Sequence, residues 1–181
     1  MAARPTAADL AAARNKSIED VIAPGLEILF VGINPGLYSG ATGHHFARPG
    51  NRFWRAIHDA GLTPALLSPD RQSELIGHGI GITNLVNRTT ATADELTPDE
   101  LRAGGQVLSA KIEQYRPAKV AFLGISTYRV AFGEPNARVG RQLRQIGVAE
   151  IWVLPNPSGL NAHYSASALA QAYASLRAAS G

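Results

Sequence analysis

Residues 26–36 read LEILFVGINPG, and no other run restricts the possible folds as much. Ile28, Leu29, Phe30, Val31 and Ile33, interrupted only by Gly32, form a near-continuous apolar segment of strand length. A strand with one wet face would alternate, so an unbroken run suits a strand covered on both faces, as in a parallel sheet. Asn34, Pro35 and Gly36 cannot extend it, because proline removes a donor and fixes φ while glycine permits a sharp turn. Asn34 is thereby presented at the carboxyl end of a buried strand, the place where open α/β sheets bind ligands. Residues 150–154 (EIWVL) repeat the pattern, and Pro155, Asn156, Pro157, Ser158, Gly159, Leu160 and Asn161 follow as a rigid polar loop. If the two strands are neighbours in one parallel sheet, both loops line one cleft. The plainer alternative is that each Asn-Pro pair only ends a strand.

With 181 residues, 45% of them hydrophobic, the chain is expected to form a single domain over 1–181 with a sizeable core. Residues 1–16 are alanine-rich and read as a flexible or peripheral arm without chemistry. No run of about 18 apolar residues suggests a membrane span, and the start lacks signal-peptide features, so a cytoplasmic location is expected. The absence of cysteine excludes disulfides, cysteine nucleophiles and cysteine-held iron–sulfur clusters. A net charge of +3 is compatible with a polyanionic partner and says little more.

Along the chain, Ile18, Val21 and Ile22 stand at helical spacing within 17–25. Residues 37–50 read as a long loop carrying Tyr38, His44, His45, Phe46 and Arg48, a set that points to function. Asn51 is placed to cap a helix that turns Phe53, Trp54, Ile57 and Ala60 inward and is closed by Gly61. A short helix is expected over 69–78, a second strand over 79–86, and a polar loop over 87–97. In that loop Asp94 is either solvated charge or a carboxylate within reach of the cleft. Thr97, Pro98 and Glu100 then announce a helix over 98–115 as cap, first residue and box partner. A third strand over 118–123, a helix opened by Gly124 and Ser126, a short piece near 142–146, the strand over 150–154 and a helix over 165–177 complete the chain. Strands alternating with helices predict a parallel sheet in a three-layer α/β sandwich.

Several chemistries are excluded by motif. GINPGLYSG lacks both the terminal Lys-Ser/Thr of a triphosphatase loop and the GxGxxG spacing of a dinucleotide site. No GxSxG elbow is present. The five histidines contain no i,i+4 pair and no HExxH, so no metal site is expected.

The run GINPGLYSGATGHHFARPGNRFW, followed by LPNPSGL, closely resembles the mismatch-specific uracil DNA glycosylases, a group that includes the thymine DNA glycosylases of the uracil DNA glycosylase superfamily. The resemblance covers residues 23–173. The iron–sulfur branches need cysteines that this chain lacks, and the branch with an aspartate in the first motif would need it where Asn34 stands. The resemblance implies a four-stranded parallel sheet with helices on both sides. It also implies hydrolysis of the N-glycosidic bond of a uracil flipped from double-stranded DNA, at G:U mismatches and, as a second candidate, G:T. No cofactor is implied, and a monomer is the simplest expectation. Asn34 matches the family's water-positioning asparagine, Phe46 the aromatic that stacks on the extruded base, and the backbone at Ile33 the groups that bond it. Gly36 and Ser39 belong to the same base-binding motif. Gly159, Leu160 and Asn161 match the wedge that enters the duplex.

Elementary chemistry suits these roles. Extruding a base costs a few kcal/mol of stacking and pairing, which a wedge and a stacking pocket offset. Leu160 is suited to the wedge, the alternative being a loop leucine folded back on the core; Phe46 likewise either stacks on the base or fills the core. Ser39, Asn156 and Ser158 can donate to phosphates. An asparagine amide is neutral and cannot take a proton from water, so Asn34 orients the nucleophile, and Asp94 is expected to supply a base or to stabilise the sugar cation. Neither motif holds a lysine for a Schiff base, so strand cleavage is not expected. Ala162 stands where the family often has an arginine, which puts the filling of the gap and the preference for guanine in question. Two rival readings are a nucleic-acid-binding module that lost catalysis and a hydrolase of free nucleosides.

Overall fold

The computed structural model describes residues 3–178. Its centre is a five-stranded sheet built from β1 (Ile28–Gly32), β2 (Ile80–Asn84), β3 (Lys119–Leu123), β4 (Gly140–Ile146) and β5 (Ala149–Leu154), in the order β2-β1-β3-β5-β4. Four strands run parallel, and β4 lies antiparallel on the outer edge of β5. The expected four-stranded sheet therefore has a fifth member, formed by the short piece near 142–146. Its sequence GRQLRQI has no apolar run because an exposed edge strand of a hairpin needs none. The strands that carry the two Asn-Pro loops are not neighbours, since β3 separates β1 from β5.

Alternate residues of β1 enter different cores, which explains the unbroken apolar run. Phe30 packs with Phe53, Trp54, Trp152 and Tyr173 under α3 (Phe53–Asp59) and α6 (Ala166–Ala178). Leu29 and Val31 pack with Leu108, Ile112 and Tyr128 under α4 (Pro98–Tyr115) and α5 (Ile125–Phe132). Thr97 caps α4 with Glu100 completing the box, and Gly104 in its middle sits against the Leu85 carbonyl.

Two local expectations are corrected and a third is refined. Residues 17–25 form no helix; Val21 exchanges both backbone bonds with Ile82, at 2.9 and 2.8 Å, and covers the outer edge of β2. The segment 69–78 is a 3-10 helix kinked at Arg71. Within the expected loop 37–50 lies a further helix, Leu37–Thr42, bracketed by Gly36 as N-cap and Gly43 as a left-handed C-cap. With Ala7–Ala12 as α1, this helix is α2.

The chain leaves β1 toward β2 on one side and returns to β3 on the other. That reversal is a topological switch point, and the carboxyl ends of β1, β2, β3 and β5 all open on the same edge there.

Candidate active site

A pocket of about 420 Å³ lies at this edge, within the usual range for small-ligand sites. Gly32, Ile33 and Asn34 from the end of β1, Asn84 from β2, Leu123 from β3, and Asn156 and Ser158 beyond β5 line it. Gly36, Tyr38 and Ser39 from the start of α2, and His45, Phe46 and Arg48 from the loop after it, complete the inner wall. Thus Ile33, Asn34, Gly36, Ser39, Phe46, Asn156 and Ser158 line one pocket.

Asn34 is held in one orientation. Its Nδ2 donates to the Arg88 carbonyl and to Thr90 Oγ1, each at 2.8 Å. Thr90 Oγ1 in turn donates to the Thr92 carbonyl at 2.7 Å. A carbonyl can only accept, so the amide nitrogen must face this loop, and Oδ1 is left as the acceptor of the pair. The loop is itself pinned: the Arg88 guanidinium grips Glu100 through two bonds of 2.8 and 3.1 Å. That hydrogen bond, with help from the Thr97 backbone, lowers the Glu100 carboxyl to about 2.

Asn84 is a second carboxamide in the wall, only 8% exposed, that the sequence reading passed over. Its Nδ2 lies 3.4 Å from His45 Nδ1, and His45 Nε2 lies 2.8 Å from the Glu19 carbonyl. Nε2 must therefore carry the proton, and Nδ1 accepts from Asn84. Burial lowers the His45 pKa, which keeps the imidazole neutral and this direction intact. The signal that could have found Asn84 is the one that found Asn34, a lone amide at the carboxyl end of an apolar strand.

Phe46 presents an aromatic wall. Its ring stacks on Phe53 at 4.2 Å between centroids, while its backbone takes φ 51, a conformation bulky residues rarely adopt outside functional sites. Gly32 makes room for it, since a Cβ there would come within 3.2 Å of Phe46 Cζ and 2.6 Å of Asn84 Oδ1. The Ile33 carbonyl already accepts from Val86 N–H at 3.0 Å. Ser39 is buried in the pocket wall, with Oγ accepting from Ala47 N–H at 3.2 Å.

Gly159, Leu160 and Asn161 stand outside the pocket wall, and Leu160 is 80% exposed rather than folded onto the core. Arg52, which sequence reasoning also missed, clamps this loop. Its guanidinium donates to the carbonyls of Tyr164 (2.6 Å), Asn161 (2.9 Å) and Ser158 (3.1 Å), and its backbone N–H to Pro157 (3.0 Å). Gly159 is pressed so close to the Gly50 carbonyl that a Cβ would sit 2.6 Å from it.

Helix α1 buries no residue, yet the segment that includes it reaches the site. Leu10 and Ile18 line the pocket. Asn15 N–H donates to the Thr89 carbonyl (2.9 Å), Thr89 N–H to the Lys16 carbonyl (2.8 Å), and the Asn87 side chain bonds both backbone groups of Ile18. Asp94 is not brought into the wall. Thr92 and Glu95 close a capping box around the turn 93–95, with Glu95 also paired to Arg14, and Asp94 is left exposed while Ala93 alone of that turn lines the pocket.

Fold and site together define an α/β protein whose pocket, at a sheet switch point, is read by fixed carboxamides and an aromatic ring. Residues 19–177 match the family model of the Uracil DNA glycosylase superfamily, and the chain belongs to that superfamily. A solution NMR structure of a candidate uracil DNA glycosylase from Methanosarcina acetivorans shares the fold at 19% identity. Its TM-score is 0.56, with 90% of this chain and 98% of that one covered. Membership supports DNA glycosylase activity, a hydrolase chemistry carried out on DNA.

Proposed function

We propose that this protein is a monomeric, monofunctional glycosylase that extrudes uracil from G:U mismatches in duplex DNA and hydrolyses its N-glycosidic bond to leave an abasic site. The observation that carries the reading is the pair of carboxamides, each held in one orientation by its neighbours. Asn34 keeps Oδ1 as an acceptor for the attacking water. Asn84 directs Nδ2 toward His45, which leaves an N–H and Oδ1 for a base edge.

Uracil presents an N3–H donor beside an O4 acceptor, the complement of an amide; cytosine presents the reverse. Turning Asn84 over for cytosine would set Oδ1 against His45 Nδ1, two acceptors face to face. The other His45 nitrogen cannot give up its proton without losing the Glu19 carbonyl. The site thus favours uracil by an unpaired-acceptor penalty.

Asn34 cannot accept the water's proton, so bond breaking must run ahead of attack, with an oxocarbenium-like sugar and a uracil anion. The wall suits an anion. Among the described residues no carboxylate lines it, so no negative side chain opposes the leaving base. No lysine lines it to form a Schiff base, which accords with a monofunctional enzyme. Exposed Leu160 is available to fill the gap in the duplex.

The test is single-turnover release of uracil from a labelled G:U duplex by wild type, Asn34→Ala and Asp94→Asn. Wild type is expected to release uracil, Asn34→Ala to be slower by about a hundredfold, as for loss of a positioned reactant, and Asp94→Asn to keep most of the rate. Collapse in the Asp94 variant alone would return catalysis to the carboxylate. Salt-dependent binding without release would leave a binding module, and cleavage of free deoxyuridine a nucleoside hydrolase.

A further inference from the structure

Arg48 is the only formally charged side chain in the pocket wall among the described residues, and it is exposed. None of the described hydrogen bonds or ion pairs engages its guanidinium. Arg52, four residues on, by contrast directs both terminal nitrogens to carbonyls of the loop at 158–164. Arg48 sits on a turn closed by Asn51 N–H onto its own carbonyl at 3.0 Å, and Gly50 of that turn abuts Gly159. The cation therefore stands where the pocket mouth meets the loop of Leu160.

Two polar side chains of the same pocket wall, Asn156 and Ser158, are donors as well. Asn156 Oδ1 accepts from Ser158 N–H (2.8 Å) and Ser158 Oγ from Leu160 N–H (3.2 Å), which leaves Asn156 Nδ2 and the Ser158 hydroxyl proton as donors for a ligand. A guanidinium with two neutral donors and no carboxylate lining the wall is complementary to an oxyanion. The exposed rim favours a phosphodiester over the leaving base, which is bound deeper, at Phe46 and Asn84.

We propose that Arg48, with Asn156 and Ser158, forms a seat for a backbone phosphate next to the extruded nucleotide. The proposal rests on the glycosylase reading and deepens it by naming a group on the loop before α3 that would hold the DNA backbone.

The test uses a G:U duplex carrying 2′-fluoro-deoxyuridine, a substrate analogue resistant to cleavage. Binding is titrated by fluorescence anisotropy across a salt series with wild type, Arg48→Ala and Arg48→Lys, and uracil release from the ordinary duplex is followed alongside. Arg48→Ala is expected to weaken binding and to flatten the slope of log K against log[salt] by about 0.9, the counterion release of one phosphate contact. Arg48→Lys is expected to restore the slope, which a purely structural role for the side chain would not require. A wild-type slope in Arg48→Ala overturns the seat, and slower release with that slope unchanged would move the cation to the leaving base. Wild type that neither binds nor releases would overturn the glycosylase reading and the seat with it, an outcome distinct from active wild type with an unaltered variant.

Discussion

Asn34 Nδ2 donates to Thr90 Oγ1 at 2.8 Å, across 56 residues of chain. The hydroxyl can accept this bond because it gives its own proton to the Thr92 carbonyl. The orientation of the Asn34 amide is therefore a property of the loop after β2 as much as of the Asn-Pro-Gly turn that carries it. An amide free to flip would present its nitrogen to water half the time and lose its function as an acceptor.

Thr90→Val tests this. The substitution keeps the shape and removes one hydrogen bond, worth about 1 kcal/mol, so single-turnover release is expected to fall by about fivefold to tenfold. Affinity for uncleavable DNA should hold, and Thr90→Ser should restore the rate. A parallel loss of affinity would show that the threonine shapes the DNA surface instead.

His45 makes stability depend on pH. Its folded pKa lies below the ordinary 6.5 because burial disfavours the cation. Below about pH 6.5 the unfolded chain binds a proton that the folded chain resists, so stability present above that value is lost as pH falls toward the folded pKa. Urea midpoints at pH 7.5 and 5.5 are expected to show a lower value at the acid pH. The difference should shrink in His45→Gln, whose amide does not titrate. An equal drop in both proteins would assign the effect to other groups.

The sheet and the Asn-Pro loops were legible in sequence because apolar runs and prolines act locally. What escaped reading depends on partners far along the chain. Asn15 and Lys16 brace the loop through backbone groups, which leave no mark in composition, so the arm read as peripheral. Helix α2 hides between two glycines that suggest a loop until their capping geometry is known. Strand β4 is polar because its faces are wet, and only its pairing with β5 reveals it. Asp94 looked close to the cleft in sequence, but the Thr92–Glu95 capping box turns it outward.

Arg52 separates shape from charge at the loop of Leu160. Its two terminal nitrogens face three carbonyls and its Nε is buried, so it fixes the loop without offering a cation to DNA. Arg52→Met, which keeps the stem and removes the donors, is expected to cost about 1–3 kcal/mol in unfolding free energy, the range for stripping partners from buried polar groups. Backbone amides at 158–164 should exchange hydrogen faster, and binding to the G:U duplex of the proposed reaction should weaken because the loop of Leu160 must then be ordered during association. The salt slope should stay at the wild-type value, opposite to the result expected for Arg48→Ala. A flattened slope in Arg52→Met would mean that its charge reaches the phosphates after all, and that the carbonyl clamp gives way when DNA binds.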